Sequence, residues 1–125
     1  MSRNFLIKRL YSFKYAFAGL AGGLKTQPNL IIHFIAAILA LALGFYLGIS
    51  KLEFCIIIIC ISAVISLELI NTAIEIFCDF VYKEQHEKIK SIKDISAAAV
   101  LVSSVGALLV GLIIFVPKII ILLQD

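Results

Sequence analysis

The chain has 125 residues, 62% of them hydrophobic and only 15% charged, with a formal net charge of +3. That excludes an ordinary soluble domain, in which about 25% of residues are charged, and a disordered tail; the charge is also too small to point to nucleic acid. One small integral membrane domain is the default, and so short a chain is expected to oligomerise before it can enclose an active site.

Residues 5–25 form the first predicted element. Leu6, Leu10, Phe13, Phe17, Leu20 and Leu24 follow the spacing of one helix face, with Lys8, Arg9, Lys14 and Lys25 around it. This reads as a helix lying in the headgroup region. The segment has neither the long apolar core nor the cleavage site of a signal peptide, so it is expected in the mature protein. Gly19–Thr26 loosely resembles a phosphate-binding loop but fails, because Leu24 separates Gly23 from Lys25 and no strand precedes it.

Pro28 marks a helix start, and residues 29–49 are apolar apart from Asn29 and His33, long enough to span a bilayer. Ala36, Ala40, Gly44 and Gly48 recur every four residues, a stripe that lets helices approach closely. A short turn is expected at 50–53, a second span at 52–81, a loop at 82–94 and a third span at 95–123. The third span repeats the small-residue stripe at Ala99, Ser103, Ala107 and Gly111, and Pro117 is expected to kink its far end. Cys55, Cys60 and Cys78 lie in apolar helical context without a CxxC or Cys/His cluster, so they read as core residues.

Three spans place the termini on opposite sides. Positive residues concentrate in the N-terminal segment and in the 82–94 loop, which carries four lysines. Both fall on one side, which is therefore expected to be cytoplasmic.

The second span carries Glu68, Asn71, Glu75 and Asp79. At about 100° per residue they share roughly 80° of one helix face and cover about 16 Å along the axis. Carboxyls inside a span are expensive and mark function by default. Glu68 is expected deepest, near mid-membrane or somewhat inward of it, with Glu75 and Asp79 nearer water and Lys93 and Asp94 at the mouth of the third span. Such a gradient suits phosphoryl transfer between a lipid hydroxyl and an anionic cosubstrate. Glu68 is placed to accept the hydroxyl proton, Glu75 to hold Mg²⁺, Lys93 to neutralise phosphate, and Asn71 to orient either substrate. The plainer readings are a structural carboxyl at Glu68, interhelical glue at Asn71, a capping or snorkelling Asp79, and Asp94 as the N-cap of the third span.

The string Glu68-Leu-Ile-Asn71-Thr72-Ala73-Ile74-Glu75, followed by Asp79, resembles the prokaryotic diacylglycerol kinase family. Ser12–Phe17 with Gly19 is similar to the family's amphipathic helix. Asn29 and His33 are similar to the N-x-x-x-H start of the first span in its undecaprenol kinase branch. Glu84-Gln85-His86 and Lys93-Asp94 are similar to its loop and third span, and the resemblance covers roughly residues 8–116. It implies an all-α homotrimer with an amphipathic surface helix and three transmembrane helices per subunit, active sites shared between neighbours, and transfer of the γ-phosphate of Mg-ATP to a lipid alcohol at the cytoplasmic face of the inner membrane. It implies Glu68 as the base with Asn71 and Asp94 beside it, and Glu75 as a Mg²⁺ ligand. Lys8 (or Arg9 in its place), Tyr15, Asp79, Glu84, His86, Lys93 and Asp94 would meet the nucleotide. One position departs: where the family usually has a glutamate as second Mg²⁺ ligand, this chain has Gln27, which offers a carbonyl oxygen but no charge.

The expected activity is a lipid kinase, with undecaprenol placed ahead of diacylglycerol on Asn29 and His33. A proton-relay or transport subunit would also carry intramembrane carboxylates, but it would need them to continue to the other side, where the spans read as apolar. A kinase homologue weakened at Gln27 is the third reading.

Overall fold

A computed structural model describes residues 3–124, which form four helices: α1 (Arg3–Thr26), α2 (Pro28–Leu47), α3 (Lys51–Val81) and α4 (Glu87–Gln124). No strand occurs among the described residues. The helices α2, α3 and α4 are each long and apolar enough to cross a membrane. At about 1.5 Å per residue, α2 measures about 30 Å, α3 about 46 Å and α4 about 57 Å, against a hydrocarbon core of about 30 Å.

The α2–α3 connection is tight. Gly48 caps α2 at φ 62°, in the left-handed region where a side chain is strained, and its N–H reaches back to the Gly44 and Phe45 carbonyls. Ser50 then caps α3: its Oγ accepts from the Glu53 N–H (3.2 Å), and the Glu53 carboxylate accepts from the Ser50 N–H (2.7 Å). The turn is thus shorter than the expected 50–53, because this reciprocal box makes Lys51, Leu52 and Glu53 the first turn of α3. With α2 and α3 flush at this end, the extra length of α3 lies entirely at the other. There α3 and α4 overhang the start of α2 by about three turns.

Packing follows the small and apolar residues. A Cβ on Gly44 would stand 2.8 Å from Ile49 Cδ1 and 3.0 Å from Phe54 Cε1, so glycine is what lets α2 lie against Phe54. Ile49, Ile57, Ile114 and Phe115 form the buried core at this end. Lys118 closes it, with Nζ 3.3 Å from Glu53 Oε2, tying the end of α4 to the start of α3. The helix α1 touches the bundle near its own end, where a Cβ on Gly23 would meet Leu30 Cδ2 at 3.0 Å and Leu69 Cδ2 at 3.5 Å.

The helix α4 begins eight residues before the expected third span and takes over much of the expected 82–94 loop. His86 starts it: its Nδ1 accepts from the Lys88 N–H (3.1 Å) and its carbonyl from the Lys90 N–H (2.9 Å). Glu87 suits the positive end of the helix dipole, and Lys90 pairs with Asp94 one turn on. Glu87, Lys88, Lys90 and Lys93 are good helix formers, and Ile89 and Ile92 among them are too few to signal a span. Asp94 therefore lies two turns inside a helix and caps nothing. At the far end, α4 continues through Pro117 to Gln124.

Ile59, Phe80, Leu101, Val102 and Ile113 are among many large apolar side chains left exposed. Covering each from water would gain about 1.5–3 kcal/mol. A bundle that leaves so many uncovered is built for an apolar surrounding.

Candidate active site

The inward face of α3 changes chemistry partway along. Ile57, Ile61 and Val64 form an apolar seam, and at the next turn the same face continues as Glu68, Asn71, Thr72, Glu75 and Cys78. Glu68 is only 3% exposed, and Asn71, Thr72 and Cys78 are buried with it. The opposing face of α4 shows the matching sequence: Phe115 and Ile114 beside the apolar seam, then Val100, Ser96 and half-buried Lys93 toward the overhang. The polar stripe is therefore the α3–α4 packing seam itself, continued in polar residues.

Glu68, Asn71, Glu75 and Asp79 each have an identifiable partner. Glu68 Oε2 lies 3.8 Å from His33 Nε2 on α2. His33 is the sixth residue of α2, about 8 Å from its start, so Glu68 stands toward the α1 side of the bundle, the inward of the two depths expected for it. Asn71 Nδ2 donates to Glu75 Oε1 (3.3 Å), leaving Asn71 Oδ1 buried and unpartnered, as is Thr72 Oγ1. Lys93 Nζ donates to Asp79 Oδ1 across the α3–α4 seam. The Asp79 carboxylate holds the Lys93 ammonium protonated above its ordinary range.

Beyond Asp79 the 82–86 turn borders an open cavity of about 570 Å³ lined by Asp79, Tyr82, Glu84, His86, Lys90 and Lys93. Tyr82 and His86 meet edge to face at 5.4 Å. At the other side of Glu68, an apolar groove of about 430 Å³ runs between α2, α3 and α4, with Ala37, Ala40, Val64, Ala107 and Phe115 in its walls and His33 also lining it. A third group of residues stays apart. Asp94 is exposed and bonded to Lys90 (2.6 Å), and Lys8 and Tyr15 are exposed on α1. Gln27 is the N-cap of α2 but makes no side-chain cap bond, which leaves its amide free.

Within one chain the structure thus gathers Glu68, Asn71, Glu75, Asp79 and Lys93 along one seam, and Asp79, Glu84, His86 and Lys93 around one cavity. It does not bring Asp94, Lys8 or Tyr15 to Glu68. The contact of His33 with Glu68, and the burial of Thr72 and Ser96, are additions. The signal for His33 was present: an ionisable side chain in an otherwise apolar span.

The sequence profile of the prokaryotic diacylglycerol kinase family matches residues 14–115. The chain belongs to that family. Membership makes it a lipid kinase in a membrane bundle. It is similar to the undecaprenol kinase of Bacillus subtilis (strain 168), at 39% identity over 116 residues, 93% of this chain and 94% of the relative. It is also similar to the diacylglycerol kinase of Synechocystis sp. (strain ATCC 27184 / PCC 6803 / Kazusa), at 33% identity over 109 residues, 86% of this chain and 62% of the relative. The diacylglycerol kinase of Haemophilus influenzae (strain ATCC 51907 / DSM 11121 / KW20 / Rd) matches at 31% over 106 residues, 83% of this chain and 90% of the relative.

Proposed function

We propose that this family member transfers the γ-phosphate of ATP to undecaprenol, with diacylglycerol as the second candidate acceptor. The observation that carries the reading is the place of Glu68: a buried carboxylate where an apolar groove ends and a polar seam begins. The similarity to the B. subtilis undecaprenol kinase over nearly the whole of both chains supports undecaprenol. The hydrocarbon of the acceptor lies along the groove and its hydroxyl meets Glu68. Glu68 takes the hydroxyl proton as the oxygen attacks the γ-phosphorus, and the bond to the β-phosphate oxygen breaks to release ADP. Lys93 and the basic residues of the 82–86 cavity balance the phosphate charge, with Glu84, His86, Lys8 and Tyr15 as further nucleotide contacts.

The residues present fit a lightly held divalent ion. Glu75 is half-buried beside the unpartnered Asn71 Oδ1, and Mg²⁺ needs only one or two protein oxygens when phosphates supply the rest. Glu75 and Gln27 would hold it, and its charge would neutralise the β- and γ-phosphates. Asp94, Lys8 and Tyr15 reach the site in this reading from a neighbouring copy in a homotrimer. The inner membrane, with the 82–86 turn in the cytoplasm, is the location proposed from the lysine distribution.

A proton relay finds less support. The nearest carboxylate beyond Glu68 on α3 is Glu53, about 22 Å away, already paired with Lys118 and separated by the apolar seam of Val64, Ile61 and Ile57. The test is phosphate transfer from radiolabelled ATP with Mg²⁺ in detergent, with undecaprenol and diacylglycerol offered separately. Faster labelling of undecaprenol is expected; faster labelling of diacylglycerol overturns the acceptor assignment.

A further inference from the structure

We propose that His33 is a positioning residue for Glu68: its Nε2–H holds Glu68 Oε2 and leaves Oε1 free to take the proton of the acceptor hydroxyl. The inference rests on the lipid kinase reading and deepens it.

Glu68 needs a partner. A carboxylate taken out of water and left unpaired among apolar helices is costly, and Glu68 is 3% exposed. The groups expected around it are occupied elsewhere. The Asn71 amide is turned to Glu75, Lys93 is bonded to Asp79, and Asp94 is bonded to Lys90. His33 is the cationic-capable side chain that the structure sets against Glu68, with Nε2 3.8 Å from Oε2. That is longer than a hydrogen bond but within ion-pair reach, and such contacts tighten when substrate binds.

His33 is also the only residue of α2 able to carry charge at neutral pH, so the whole helix offers the site one polar handle. Its ring lines the apolar groove as well. A lipid chain in the groove therefore lies against the ring that orients the base, and closure of the 3.8 Å gap is coupled to occupancy of the groove. His33 itself forms no bond to the reacting atoms.

The test compares wild type, His33→Leu and His33→Gln, purified in detergent and assayed with radiolabelled ATP and undecaprenol. Loss of a hydrogen bond to a charged group predicts that His33→Leu lowers kcat by about 10- to 100-fold, with the KM for ATP unchanged. His33→Gln, whose amide N–H can reach the same carboxylate, should recover kcat to within about threefold of wild type. A merely structural histidine would give no such rescue. If His33→Leu does not fold, His33→Met provides the apolar arm of the same comparison. Full kcat in the apolar variant, or equal loss in the apolar variant and His33→Gln, overturns the inference while leaving the kinase reading intact. Wild-type protein that labels neither undecaprenol nor diacylglycerol overturns both.

Discussion

Glu68 and Gln27 are the two residues on which the proposed chemistry turns, and they differ in how plainly they announce it. Glu68 stands out because every neighbour in sequence for many residues before it is apolar or small, and its burial places it on the packing seam. Gln27 stands out only as a departure from the resemblance; its partly buried amide makes no cap bond to α2. Restoring a carboxylate there supplies the charge that a divalent ion prefers. Gln27→Glu is expected to lower the Mg²⁺ concentration for half-maximal turnover severalfold, measured by titrating Mg²⁺ at fixed ATP. An unchanged Mg²⁺ requirement would remove Gln27 from the metal. The stripe of Glu68, Asn71, Glu75 and Asp79 was legible because charge inside a span is rare. Thr72 and Ser96 were not, since small hydroxyl residues occur throughout apolar helices and only tertiary packing shows which are buried. Asn71 was legible as polar, but its bond to Glu75 rather than Glu68 depends on a side-chain rotamer.

At the scale of elements, the spans were legible from hydropathy and the helix ends were not. Hydropathy marks where a helix leaves an apolar zone, whereas capping and propensity mark where it stops. Hence Glu87–Asp94, mostly polar but capped by His86, is helix. That extension has a consequence: it places Lys93 on a rigid helix opposite Asp79, making their bond a tether between α3 and α4. The hydrogen bond that Lys93 donates to Asp79 raises the Lys93 pKa above its ordinary 10.5. A pKa raised on folding adds stability that is complete below the unfolded value and is lost as pH rises through the folded one. The stability gap between wild type and Lys93→Met, read by thermal unfolding in detergent, should therefore be flat from about pH 6 to about pH 9 and shrink only above about 10.5. A gap that closes between pH 7 and 9 would mean that some other group governs the tether.

The whole molecule is two environments joined at one carboxylate. One half of the α2–α3–α4 bundle is an apolar core closed by the Glu53–Lys118 pair, with a groove in its side. The other half is an overhang of two helices carrying the polar seam and the 82–86 cavity. A lipid alcohol can approach Glu68 from the first and a nucleotide from the second, which is the arrangement a membrane lipid kinase needs. The bilayer-length helices foretold the first half. The second arises because α3 and α4 outlast α2, which no single span reveals by itself. The central claim is that Glu68 is the base at that junction, and the most direct measurement is radiolabelled phosphate transfer to undecaprenol by wild type and by Glu68→Gln, compared at equal amounts of folded protein. A general base contributes about 10²- to 10⁴-fold, so Glu68→Gln is predicted to lose at least about 100-fold in kcat while still binding ATP; wild-type turnover in Glu68→Gln would contradict the account.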